Sequence, residues 1–360
     1  MRSLFALALL QACTPDTEEQ PAPEEVVAPD EVGPYGVVTI ESEVVGTEED
    51  LPIQIWYPSD DADGVAYSYG GLLAATAVTT GTPACESPRP VIVFSHGNGG
   101  IRYQSATTME YFASHGWIVA APDHVRNTFF DADDDYYAAM FLRRPLDIAA
   151  TFDGLLEEDS LAGCIDPEAG YVVMGHSFGG YTAYATGGAP MDVSLALSYC
   201  EGDDSEGCQK VVDWADAHPD EDAADLSDPR VWGVVVWAPA FHEIFGDRMS
   251  EISVPTLVVG GEEDDMTTWA GSVEASYQEL TTETRALAGI SGAGHYSFTD
   301  VCPFLGETSD GCEPSAAPIE EVHATVNTLV TAWLRTENGE NGLEEWLPPE
   351  EGISHWERGE

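Results

Sequence analysis

Five times along the chain a short apolar run recurs, at 90–95, 117–122, 171–175, 231–238 and 256–260. The runs are rich in Val and Ile and apolar at successive rather than alternate positions, which is the pattern of strands covered on both faces. Amphipathic stretches of helical length lie between or after them, at 103–115, 143–157, 178–186, 268–280 and 319–335. Strand alternating with helix predicts a mostly parallel central sheet with helices on both faces, an α/β fold. Ahead of it, 36–45 and 51–57 alternate as an antiparallel pair would. In such a sheet, chemistry belongs to the loops at the carboxyl ends of the strands.

The third run leads into Gly175-His176-Ser177-Phe178-Gly179 and then a helical stretch. A GxSxG turn between strand and helix holds a serine at the strand tip, and its small flanking residues let strand and helix pass closely. A nucleophilic serine needs a base, and the base needs an orienting carboxylate, in the chain order Ser, acid, His. The run 256–260 delivers Gly261-Glu262-Glu263-Asp264-Asp265, and Gly292-Ala293-Gly294-His295 follows a short candidate strand at 285–288. We expect Ser177 as nucleophile, His295 as base and Asp264 as acid, with Asp265 as the alternative acid. The first run ends in His96-Gly97-Asn98-Gly99-Gly100, so the backbone amides of Asn98 and Phe178 are the expected oxyanion donors, and His96 is read as structural. Tyr136, Tyr137, Phe178 and Trp269 are expected to line the pocket because they lie near these motifs.

Charge removes several other functions. The chain has 65 Asp and Glu against 12 Lys and Arg, a net charge of −53, and Lys210 is its only lysine. Such a chain repels nucleic-acid phosphates and anionic membranes. The acids are spread along the whole length, which favours a salt-adapted surface over bulk calcium binding. The acidic stretches 60–64 and 131–135 lack the Glu of a calcium loop and read as solvated loops.

The amino terminus reads as an export signal, with an apolar run at 4–10 too short to span a bilayer. It ends in Leu10-Gln11-Ala12-Cys13, similar to a bacterial lipobox, so Cys13 is the expected lipidation site and the chain an envelope lipoprotein, periplasmic or surface-held; the alternative is a plain secretory signal and a secreted chain. Any membrane attachment would run through that lipid. Six cysteines remain, and in an exported chain an even number points to disulfides. Short loops favour Cys200–Cys208 and Cys302–Cys312, leaving Cys85–Cys164. No Cys/His cluster has the spacing of a zinc site. The expected organisation is a signal at 1–13, an acidic Pro-rich tether at 14–33, a catalytic domain at 34–336 and a loose acidic tail at 337–360, which Trp346 and Trp356 could dock. The acidic insert 201–228 is either a lid or a solvated excursion.

The run VIVFSHGNGGIRYQSATTMEYFASHGWIVAAPDH, with GHSFGG, the Asp-Pro-Arg at 228–230 and GAGHYSF, resembles the platelet-activating-factor acetylhydrolase and dienelactone-hydrolase-like branch of the α/β hydrolases. The resemblance implies the α/β-hydrolase fold, a Ser-His-Asp triad working without metal or cofactor, and a preference for short or truncated acyl chains. A serine where true dienelactone hydrolases have cysteine argues against that activity. The expected function is hydrolysis of small-molecule or lipid-derived carboxylic esters. An amidase or peptidase on the same fold, and a non-catalytic ligand-binding surface lipoprotein, are the alternatives.

Overall fold

The protein is described here from a computed structural model covering residues 27–71 and 73–359. The signal segment, Cys13 and most of the expected tether lie outside the described residues. In chain order the strands are β1 (Gly36–Val44), β2 (Leu51–Ser59), β3 (Asp63–Tyr69), β4 (Leu73–Thr80), β5 (Val91–Ser95), β6 (Ile118–Pro122), β7 (Tyr171–His176), β8 (Met191–Asp192), β9 (Ala223–Ala224), β10 (Val231–Trp237), β11 (Thr256–Gly261), β12 (Arg285–Ile290) and β13 (Ile353–Arg358). The helices are α1 (Ala106–Ser114), α2 (Met140–Glu157), α3 (Phe178–Thr186), α4 (Val193–Tyr199), α5 (Glu206–Ala217), α6 (Glu274–Glu279), α7 (Cys302–Leu305) and α8 (Ile319–Glu337).

Eleven strands form one sheet in the order β13-β12-β11-β10-β7-β5-β6-β2-β1-β4-β3. The six from β12 to β6 run parallel, and β2, antiparallel to β6, opens the outer part of the sheet. This is the expected doubly covered α/β sheet. Residues of one strand alternate between two cores: Val91 and Val93 of β5 face one, Ile92 and Phe94 the other. The first core also holds Ile148 and Phe152 of α2 with Tyr181 and Tyr184 of α3, and the second holds Met109 and Phe112 of α1 with Leu329 and Trp333 of α8. The fold is that of an α/β hydrolase.

Three regions depart from expectation. The acidic stretch 60–64 is not wholly loop, because β3 begins at Asp63 and pairs with β4. One face of this hairpin is solvated, so its composition carries little apolar signal, yet Tyr69 is buried and accepts a hydrogen bond from Trp56 at 2.6 Å. The tail is not loose throughout: β13 adds an antiparallel edge to β12, placing Trp356 opposite Ala288. The helix expected at 268–280 is a wide π turn over Trp269–Val273 followed by the short α6.

Disulfides join Cys85 to Cys164, Cys200 to Cys208 and Cys302 to Cys312, the expected pairs, with Cα–Cα separations of 5.0, 5.3 and 5.3 Å. Three disulfides fit an exported protein. Among the described residues no helix is long and apolar enough to cross a membrane. The insert 201–228 carries α5, which packs on the turn Asp134–Ala139 and, through Glu206, pairs with Arg126.

Candidate active site

Ser177 sits between β7 and α3 with φ 57° and ψ −117°, a conformation that costs a non-glycine residue roughly 1–3 kcal/mol. Close packing enforces it. A Cβ on Gly175 would run into the Gly179 carbonyl, and one on Gly179 into the carbonyl of Ser95. The serine is therefore presented at the strand tip while its neighbours are buried.

His295 follows β12, and Nδ1 of its ring donates to Oδ2 of Asp264 at 2.9 Å. Asp264 is saturated: Oδ1 accepts from the amides of Met266 and Thr267 at 2.8 and 2.7 Å, and Oδ2 also accepts from the Thr267 hydroxyl at 2.7 Å. Burial raises the carboxyl pKa, but the bonds from His295 and Thr267 prevail and hold it below its ordinary value. Asp265 points elsewhere; it is exposed, and its amide donates to Asp310. The structure thus brings Asp264, and not Asp265, to the imidazole. Among the described residues, Nε2 of His295 and Oγ of Ser177 take no hydrogen bond, and both residues line one cavity.

The loop Gly97–Gly100 borders the same cavity. The amides of Asn98 and Phe178 meet no acceptor among the described residues, and Asn98 lines the cavity next to Ser177. Two side chains that the sequence did not single out brace this floor. His176 is wholly buried, and burial pulls its pKa down to about 3, so the ring is neutral. Its Nε2 donates to the His295 carbonyl at 2.9 Å, and its Nδ1 accepts from Gln104 at 3.1 Å. Gln104 in turn accepts from the Gly97 amide at 3.2 Å. The residue before the serine is therefore a strut between the histidine loop and the glycine loop.

Behind the glycine loop lies a second, sealed set. Ser95 Oγ and His124 Nε2 are 2.9 Å apart, and His124 Nδ1 donates to Asp147 Oδ2 at 2.9 Å. All three are fully buried. Arg144, also buried, donates to Ser95 Oγ at 3.1 Å, to Thr182 at 3.0 Å and to the carbonyl of His96. It also donates to Asn127 at 2.5 Å, and Asn127 donates to the Asn98 side chain at 2.8 Å. Burial lowers the Arg144 pKa to about 9 and lifts that of Asp147 to about 7, against the pull of Arg143 and Arg144. His96 accepts from the His124 amide at 3.1 Å.

The cavity measures about 270 Å³, and among the described residues no Asp, Glu, Lys or Arg lines it. Its rim stands out into water: Phe129 and Phe130 are 67% exposed, Met266 57%, Phe304 46% and Leu305 37%. Of the four expected lining residues none contributes. Tyr136 is buried beneath α5, Tyr137 and Phe178 pack in an aromatic cluster with Phe141 and Phe241, and Trp269 packs on His355. Nor does the insert 201–228 supply a lining residue. The acids of 131–135 serve local structure: Asp131 caps the amides of Arg126 and Thr128, and Asp133 pairs with Arg126.

A strained serine at a strand tip beside an imidazole–carboxylate pair belongs to the α/β-hydrolase class that the sheet defines. The family model described as Chlorophyllase matches residues 71–212, less than half of the chain. The chain is similar to that α/β-hydrolase-type family from β4 through the glycine loop and the serine elbow to α5, which supports an ester hydrolase of this type. No curated protein matches the chain.

Proposed function

We propose that the chain is a serine esterase in which Ser177, His295 and Asp264 form the triad and the amides of Asn98 and Phe178 the oxyanion hole. The reading is carried by the strained Ser177 opening into the cavity that His295 also lines, with Asp264 fixing the far side of the imidazole. His295 Nε2 takes the Ser177 proton as Oγ attacks the ester carbonyl, and the two amides take the charge developing on the carbonyl oxygen. Collapse breaks the ester C–O bond, the imidazolium returns its proton to the departing alkoxide, and an acyl-serine remains. Water repeats the sequence and releases the acid. Thr267, bonded to Asp264 and 3.1 Å from His295 Nδ1, holds the carboxylate in line.

The cavity wall favours uncharged esters, since among the described residues no Lys or Arg lines it to receive a carboxylate or phosphate. The resemblance to the platelet-activating-factor acetylhydrolase branch supports short or truncated acyl groups. The disulfides support action outside the cytoplasm, and lipidation at Cys13 would tether the enzyme to the envelope.

The test is a fluorophosphonate probe followed by peptide mapping. Labelling of Ser177 should track loss of p-nitrophenyl ester hydrolysis, and Ser177→Ala should lower kcat by roughly 10⁴-fold or more with an unchanged melting temperature. Undiminished hydrolysis in that variant would refute the assignment.

A further inference from the structure

The loop closed by Cys302–Cys312 touches the site in two ways at once. Its outer half, the short α7, carries Phe304 and Leu305 to the cavity rim. Its inner half lies against both loops of the imidazole–carboxylate pair. Asp310 Oδ2 accepts from the Asp265 amide at 2.8 Å, one residue beyond the triad acid. The Asp310 carbonyl accepts from the Tyr296 amide at 2.9 Å, one residue beyond the base. The carbonyl of Gly311 accepts from Ser297 Oγ at 3.2 Å, and Ser297 Oγ accepts from the Gly294 amide at 3.0 Å. The approach is so close that a Cβ on Gly294 would strike Asp310 and Gly311, and Gly311 itself has φ +83°.

Resting on the esterase reading, we propose that this loop is a bifunctional element: Phe304 and Leu305 select the apolar group of the ester, and Asp310 is a positioning residue that holds the Asp264 and His295 loops in register. The disulfide makes the two halves one body. It ties Cys302, beside the rim, to Cys312, two residues beyond Asp310. Apolar contact at a rim adds binding energy that grows with the length of the chain it covers. Misalignment of a base by a fraction of an ångström instead lowers turnover for every substrate. The two halves are therefore separable by kinetics.

The experiment compares p-nitrophenyl acetate with p-nitrophenyl octanoate. Phe304→Ser/Leu305→Ser should raise KM roughly tenfold for octanoate and about twofold for acetate, with kcat changing least. Asp310→Ala should lower kcat roughly 10- to 100-fold on both esters, with KM within about twofold. Asp310→Asn, which keeps an acceptor oxygen, should recover most of that loss. Should Asp310→Ala not fold, Asp310→Ser, too short to reach the Asp265 amide, takes its place. An octanoate KM that does not move in the rim variant overturns the selective role. A native kcat in Asp310→Ala or Asp310→Ser, or no recovery in Asp310→Asn, overturns the positioning role. Fluorophosphonate labelling keeps the two readings apart, because a native chain that labels at Ser177 without this split sinks the loop proposal alone, and one that does not label sinks the esterase itself.

Discussion

Among the described residues, a serine, a histidine and an aspartate come together in one sealed set and in one set that opens on the cavity. In both, an imidazole Nδ1 donates to a carboxylate at 2.9 Å. In the sealed set, Ser95 ends β5 as a regular strand residue, and its Oγ is held by His124 and Arg144. In the open set, Ser177 is strained at φ 57° and its Oγ is unengaged among the described residues. The two sets share a hydrogen-bond pattern, so on the proposed reading that pattern alone does not make a nucleophile. Backbone strain, an unengaged hydroxyl, unused amides and a cavity are what separate the two.

The comparison can be broken at either member. The largest effect should come from Asp264→Ala, which should lower kcat roughly 10³- to 10⁴-fold, while Asp265→Ala stays within about threefold. Equal losses in the two variants would mean that the carboxylate facing His295 is not the working one. Removing Asp147 should do the reverse. Asp147→Ala strands buried His124 and Arg143 and should cost about 3–5 kcal/mol of stability. Denaturant titration reads that loss; a kcat collapse with stability intact would make the sealed set part of the chemistry.

An acid titration sharpens the same contrast. Burial keeps His96 and His124 well below the ordinary histidine value and His176 at about 3, so folded imidazoles stay neutral where unfolded ones charge. Their contribution is present above about pH 6.5 and lost as pH falls. Asp147, lifted to about 7, works in the opposite direction: its contribution is present below about pH 4 and lost as pH rises. His115, held at about 4, and His323, also lowered by burial, act in the same sense as those three imidazoles, so stability should fall as pH drops from 6.5 to 4.5, each such histidine contributing up to about 1.4 kcal/mol per pH unit. The measurement belongs in molar salt, which screens carboxylate repulsion. A flat profile would mean that the floor accepts protons while folded. The smallest effect is expected at the mouth, where Phe129→Ser/Phe130→Ser should leave stability within about 0.5 kcal/mol and raise KM for long esters a few-fold.

The central sheet and the elbow that presents Ser177 were legible in the sequence because each rests on a local pattern. A buried parallel strand is apolar at every residue, and a serine elbow needs its glycines two residues to either side. The acid could be narrowed only to Asp264 or Asp265; the choice depends on the turn that points Asp264 at Thr267 and His295. Where one face of a strand meets solvent, as in β3 and β13, the signal faded into acidic composition. The pocket wall was the least legible part. Nearness to a motif selected Tyr137 and Trp269, which face packing partners, whereas Phe304 and Leu305 reach the mouth from a loop far along the chain. Arg144 carried no signal at all, since an arginine in an amphipathic helix reads as surface and its burial follows from contacts with Ser95, Asn127 and Thr182.

The Cys85–Cys164 bridge spans 79 positions, and the chain between them holds β5, the glycine loop, His124 and Asp147. Closing a ring of that size in the unfolded chain removes about 4.5 kcal/mol of its conformational entropy. A force applied to the two ends of the oxidised molecule would leave that ring unstretched, hiding roughly 260–280 Å of contour. The glycine loop and the whole of the sealed set would then remain a covalent circle while the rest of the molecule was drawn out to a thread.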